Sequence, residues 1–154
     1  MLFRSKDLEA RLPEIARAHP KHLHVRIGYD ETLAHRIMAG CDAILVPSRF
    51  EPCGLTQLYA LAYGTLPLVH RVGGLADTVC DATPANLADG LATGFVFDQP
   101  DVPSLKAALD RLFLLWQSPG TWSGMRQNAM RQDFGWPASA RQYHALYREL
   151  RPGA

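Results

Sequence analysis

Ala43-Ile44-Leu45-Val46-Pro47-Ser48-Arg49-Phe50-Glu51-Pro52-Cys53-Gly54-Leu55-Thr56 is the stretch on which the fold turns. Its first four residues are a continuous apolar run ended by Pro47, the pattern of a strand covered on both faces. After Gly54 the period changes. Leu55, Leu58, Tyr59 and Ala62 fall at i, i+3, i+4 and i+7, an apolar helix face that Gly64 closes. A buried strand feeding a helix through a short loop is the repeating unit of an open parallel sheet.

The flanking sequence repeats that alternation. Downstream, Leu66-Pro67-Leu68-Val69 predicts a strand and Gly73-Gly74 a turn. Residues from about Ala82 to Ala92 read as a polar loop, and Gly94-Phe95-Val96-Phe97 as a last strand before Asp98. Leu105, Ala108, Leu109, Leu112, Phe113 and Trp116 mark an amphipathic helix with Pro103 in its first turn. A second helix is expected around Thr121 to Arg131, and a third with Tyr143, Leu146, Tyr147 and Leu150 on one face. Upstream, Leu8, Leu12 and Ile15 recur at helical spacing, with Pro13 as the mark of a second start. His22 to Ile27 reads as a short strand, Tyr29 falls on its exit turn, and Asp30 caps a helix running through His35 to Ala39. The prediction is an α/β domain, a Rossmann-like parallel sheet with flanking helices.

Composition narrows the function classes. The chain has 154 residues, 47% hydrophobic and 20% charged, enough for one globular domain or part of a larger one. Sixteen Lys and Arg against fifteen Asp and Glu give a formal net charge of +1, with no block of like charge. Nucleic acid and membrane surfaces are therefore not expected partners. The start, Met1-Leu2-Phe3-Arg4-Ser5-Lys6, has no long apolar core with a cleavage site, so a cytoplasmic location is expected. Cys41, Cys53 and Cys80 lack Cys-x-x-Cys spacing, and His22 and His24, which a strand would send to one face, have no further Cys, His or carboxylate that completes a metal shell, so reduced thiols and no metal site are expected.

The loop after the apolar run offers chemistry of its own. A helix start carries unpaired N–H groups at the positive end of its dipole, a site that suits phosphate. Gly54, without a side chain, would let a diphosphate approach the amides of Gly54, Leu55 and Thr56, and the Thr56 hydroxyl adds a donor. In open parallel sheets ligands gather at the carboxyl ends of strands, where this loop falls. Glu51 could accept hydrogen bonds from sugar hydroxyls or stabilise positive charge at an anomeric carbon. On spacing alone it fits equally a solvated loop acid, with Gly54 a turn residue and Cys53 a small buried hydrophobe.

The string from Ser48 through Glu51-Pro52-Cys53-Gly54-Leu55-Thr56-Gln57 to Tyr59 resembles the bacterial glycogen (starch) synthases that use ADP-glucose. Ile27-Gly28-Tyr29, Tyr63-Gly64-Thr65-Leu66-Pro67, Arg71-x-Gly73-Gly74-Leu75-Ala76-Asp77-Thr78-Val79 and Gly94-Phe95-x-Phe97 follow in that family's order and spacing. The resemblance runs from about Leu8 to Leu150 and weakens over the first few residues. It implies glycogen biosynthesis by a retaining hexosyltransferase that moves glucose from ADP-glucose to the non-reducing end of an α-1,4-glucan, without a cofactor. Glu51 then matches the acidic residue on the transferred glucose, Cys53 lies beside it, and Gly54, Leu55 and Thr56 match the diphosphate contact. Tyr29 matches the aromatic that stacks on adenine, although a Tyr packed on the sheet rim would look the same. Gly73 and Gly74 border the glucose or acceptor site or form a simple tight turn, and Arg49 is a phosphate or carboxylate partner or merely solvated. Tyr59 stands where related retaining transferases carry a second glutamate, as it does in glycogen synthases.

The same resemblance implies the GT-B arrangement, with an active site between two Rossmann-like domains. Residues 1–154 correspond to a partial C-terminal nucleotide-sugar-binding domain, with the N-terminal domain absent. In the strand order 3-2-1-4-5-6 the first two strands are expected to be lacking, which leaves buried strand edges unpaired. The alternative is then a truncated, catalytically incompetent nucleotide-sugar-binding fragment, marginal in stability unless the missing N-terminal part of the enzyme completes it. The chain alone is expected to be inactive.

Overall fold

The computed structural model describes residues 5–151, so the Met1 to Arg4 part of the expected soluble start lies outside the described residues. Two compact units divide the chain, Met1–Ala34 and His35–Ala154. In the first, α1 (Lys6–Ala18) is capped by the Ser5 hydroxyl, which accepts from the Leu8 N–H. Pro13 does not restart it; the helix runs through, giving up only the N–H that proline lacks. The expected strand at His22 to Ile27 is not formed. The stretch alternates half-buried Leu23 and Val25 with exposed residues, but no described strand lies against it to supply ladder hydrogen bonds. Asp30 caps the next helix, α2 (Glu31–Gly40), accepting from the Leu33 N–H at 2.9 Å.

The second unit is built on a parallel sheet of three strands, β1 (Ala43–Val46), β2 (Leu66–His70) and β3 (Phe95–Phe97), in the order β1-β2-β3. The strands expected at these positions all form, so the sheet holds one strand fewer than the sequence predicts. β2 is buried along its whole length. Pro67 is tolerated in this central strand because its nitrogen faces the β3 side, where pairing begins only at Leu68↔Phe95. Between the strands lie α3 (Thr56–Tyr63), α4 (Gly73–Thr78) and α5 (Pro84–Ala88). After them come α6 (Val102–Trp116), α7 (Pro119–Met130) and α8 (Trp136–Leu150).

Both faces of β2 and β3 are covered, whereas β1, expected to be covered on both faces, is an edge strand of the described sheet with Leu45 exposed. Leu66, Leu68, Phe95 and Phe97 pack with Leu61, Leu112, Trp122 and Met125 from α3, α6 and α7. The alternate residues Val69 and Val96 pack with Leu75 and Val79. Two expected irregular stretches are helical. Gly73-Gly74 opens α4, and the polar loop from Ala82 to Ala92 contains α5, capped by Thr83 with Pro84 in its first turn. None of the described helices is long and apolar enough to cross a membrane.

Candidate nucleotide-sugar site

The loop between β1 and α3 is pinned at several points. At its start the Ser48 carbonyl lies 2.9 Å from His70 Nδ1, and the buried His70 ring rests on Phe97 at the end of β3. Farther on, the Glu51 carbonyl accepts the Gly74 N–H at 3.2 Å. The glycine pair is what allows that approach. A Cβ at Gly73 would stand 2.1 Å from the Glu51 carbonyl oxygen, and one at Gly74 only 2.0 Å from that of Cys53. Gly73 also has φ of +46°, in the left-handed region open to glycine. The Gly73-Gly74 pair thus brings the start of α4 against Glu51 and Cys53.

At the other end of the loop Gly54 has φ of +74°, and Leu55 occupies the N-cap of α3 without a side-chain capping bond. Among the described residues the N–H groups of Gly54 and Leu55 have no hydrogen-bond partner. An uncapped helix start with free amides is an anion-binding geometry. Thr56, exposed at the first helical position, adds its hydroxyl. Glu51 is half-buried, and among the described residues its carboxylate has no hydrogen-bond or ion-pair partner. Cys53 is an exposed free thiol beside them.

The residues expected at the site therefore divide. Glu51, Cys53, Gly54, Leu55, Thr56, Gly73 and Gly74 come together. Arg49 does not join them: it lines a separate cavity of about 230 Å³ with Pro47, Phe97 and Asp101. Tyr29 belongs to the other compact unit and is 82% exposed as a residue. Tyr59 packs on the His35 ring at 5.1 Å, and the neighbouring Tyr63 hydroxyl meets His35 Nδ1 at 3.2 Å.

Two residues of the site carry no role in the sequence reading. The Gln57 amide nitrogen donates to the carbonyls of Cys53 at 3.0 Å and Gly54 at 2.9 Å, and reaches Thr78 Oγ1 at 3.3 Å. Thr78 in turn donates to the Gly74 carbonyl. The available signal is an amide in the first turn of an otherwise apolar helix, three and four residues after the loop carbonyls it meets.

A three-stranded parallel sheet flanked by helices, with free amides in the loop at the carboxyl end of β1, is an arrangement shared with the GT-B glycosyltransferases. Residues 6–129 match the family described as glycosyl transferases group 1, and the chain belongs to that family. Within it, the chain is 56% identical over 144 residues to a glycogen synthase of Mannheimia succiniciproducens and 57% identical over 145 residues to one of Francisella philomiragia. Each match covers 94% of this chain and 30% of the relative, so the chain spans under a third of the length of these relatives. Among solved structures, the catalytic domain of starch synthase IV from Arabidopsis thaliana, bound to ADP and acarbose, matches with a TM-score of 0.80 at 35% identity. That match covers 94% of this chain and 30% of the other. A sucrose-phosphate synthase from Thermosynechococcus elongatus shares the fold with a TM-score of 0.61 at 24% identity.

Proposed function

We propose that this chain forms the donor side of a retaining glucosyl transfer from ADP-glucose to the non-reducing end of an α-1,4-glucan, as in glycogen biosynthesis. The observation that carries the reading is the pair of unpartnered N–H groups at Gly54 and Leu55, held next to Glu51 by the close packing of Gly73 and Gly74. Those amides, the Thr56 hydroxyl and the positive end of α3 would receive the diphosphate. Glu51 would accept hydrogen bonds from the glucosyl unit or stabilise charge at its anomeric carbon, with Cys53 at its side. Gly73 and Gly74 would border the glucose or acceptor, and Tyr29 would stack on adenine. Retention follows if the glucan hydroxyl attacks from the leaving-group face. The C–O bond to phosphate breaks as the new glycosidic bond forms, and the hydroxyl proton passes to the departing phosphate oxygen. The similarity to glycogen synthases and the ADP held by the starch synthase neighbour support this assignment.

A second reading is favoured by the coverage of under a third of the relatives' length. In it, residues 1–154 are part of a nucleotide-sugar-binding domain that binds its donor and turns over only when the rest of the enzyme supplies the opposite wall of the cleft, in the cytoplasm. ADP binding by calorimetry, run beside ADP release from ADP-glucose in the presence of glycogen, separates the two, with Glu51→Ala as control. Turnover abolished by Glu51→Ala supports the enzyme, and binding without turnover supports the partial domain. Absence of both ADP binding and turnover overturns the donor-site assignment.

A further inference from the structure

Gln57 is fully buried at the second position of α3, and the use it makes of its amide is unusual. Its nitrogen serves two consecutive carbonyls of the loop, Cys53 and Gly54, and the Thr78 hydroxyl. Its oxygen, also buried, accepts no hydrogen bond among the described residues. Turning the amide over would bring that oxygen against two carbonyl oxygens, so the orphaned acceptor is the consequence of holding those carbonyls.

The peptide bonds on either side of Gly54 are trans, as are all those described. In a planar trans peptide the C=O and N–H point in opposite directions. Drawing the Cys53 carbonyl inward to Gln57 therefore turns the Gly54 N–H outward, and drawing the Gly54 carbonyl inward turns the Leu55 N–H outward. These are the two N–H groups without a partner. Gly54 completes the fit, since a Cβ there would stand 2.4 Å from the Gln57 amide oxygen. Through Thr78, which donates to the Gly74 carbonyl, the same amide is tied to the glycine that holds Glu51.

We propose that Gln57 is a positioning residue, which aims the Gly54 and Leu55 amides at the diphosphate of a nucleoside diphosphate sugar and couples them to the Glu51 loop through Thr78. This rests on the donor-site assignment above, and it makes a claim about the ligand-free loop as well. The probe is ADP. Gln57→Met keeps the volume and removes the donors. Gln57→Glu keeps the shape but sets a carboxylate against the same two carbonyls.

The expected result is ADP affinity about tenfold weaker in both variants, with ¹⁵N amide signals of Gly54 and Leu55 displaced without ligand while the β2 amides of Leu68 and Val69 stay put. Thr78→Val, at the far end of the network, is expected to displace the same two signals less. Unmoved Gly54 and Leu55 signals in Gln57→Met, or undiminished ADP affinity while the wild type binds, overturn the positioning role alone. A wild-type chain that binds no ADP overturns the donor-site assignment, and the amide signals then still report whether Gln57 sets the loop. Should Gln57→Met not fold, unmoved signals in Thr78→Val overturn the coupling.

Discussion

Gly74 lies so close to Cys53 that a single added carbon at Gly74 would stand 2.0 Å from the Cys53 carbonyl oxygen. Backbone meets backbone here, with no flexible side chain to swing aside. The loop that carries Glu51 and the start of α4 consequently behave as one packed unit, and the geometry of the site depends on two residues that have no side chains.

Gly74→Ala is therefore expected to destabilise by about 1–3 kcal/mol through overpacking and to weaken ADP binding by displacing Cys53. Gly90 provides the control. Unlike Gly74 it has a left-handed φ, +67°, but a Cβ there meets nothing within 4 Å. Gly90→Ala should cost only the backbone strain, about 1 kcal/mol, and leave ADP binding intact. Urea unfolding of both variants checks this, and equal losses would rule out the close packing as the cause.

Asp81 is the strongest polar fixture of the sheet. One carboxylate oxygen accepts the Val96 N–H at 2.8 Å, and both accept from Arg111, whose guanidinium also donates to the Val96 carbonyl at 2.9 Å. Its side chain is only 13% exposed against 38% for Arg111. Asp81→Ala would strand a buried strand N–H together with the guanidinium, at a cost of about 2–3 kcal/mol. Arg111→Ala, whose site water can reach, should cost about 1–2 kcal/mol. A reversed order in urea midpoints would contradict this assignment.

The parallel sheet is legible in the sequence because Ala43 to Val46 and Leu66 to Val69 are short apolar runs of strand length, although only the second is buried along its whole length. His22 to Ile27 misleads because its alternation imitates a strand, while the ladder that makes one depends on a neighbour its own residues cannot reveal. Residues Pro84 to Ala88 hide a helix inside a polar stretch, although Thr83-Pro84 is a cap followed by a first-turn proline. Adjacent glycines are poor helix formers, so Gly73-Gly74 reads as a turn; the helix starts there because the 51–53 backbone fills the space where side chains would lie. The loop from Glu51 to Thr56 is recognisable as a string. The task of Gln57 is not, since one of its partners, Thr78, lies far along the chain.

Burial, followed by the negative charge of Asp81, raises the pKa of the Cys80 thiol above its ordinary value. The folded state thus holds this proton more tightly than the unfolded chain does. The resulting stability is fully present below the unfolded thiol's pKa, about 8.5, and is lost as pH rises from there through the folded-state value. Cys80→Ala is expected to flatten the decline in unfolding free energy over that alkaline range. Thiol labelling at pH 8 should reach exposed Cys41 and Cys53 before Cys80, and alkylated Cys53 should no longer permit ADP binding.

The outer edge of β1 is where self-association is expected. Among the described residues β1 pairs only with β2, so the other edge of Ala43 to Val46 presents unpaired backbone groups. Beside it lies an apolar cavity of about 350 Å³ lined by Ile44, Leu45, Leu109, Phe113 and Trp116. Leu45 is 46% exposed and Phe113 57% exposed. The buried Trp122, also on this wall, has an indole N–H without an acceptor among the described residues. An open strand edge next to exposed apolar side chains and an unsatisfied donor is a template for another strand. Light scattering should therefore show association that grows with chain concentration. Phe113→Glu places a charge in the groove without touching the strand ladder, so it should reduce the association and leave the thermal midpoint of the remaining monomer nearly unchanged. If Phe113→Glu associates as strongly as the wild type, the contact lies elsewhere, and the open apolar faces of α1 and α8 become the surfaces to mutate.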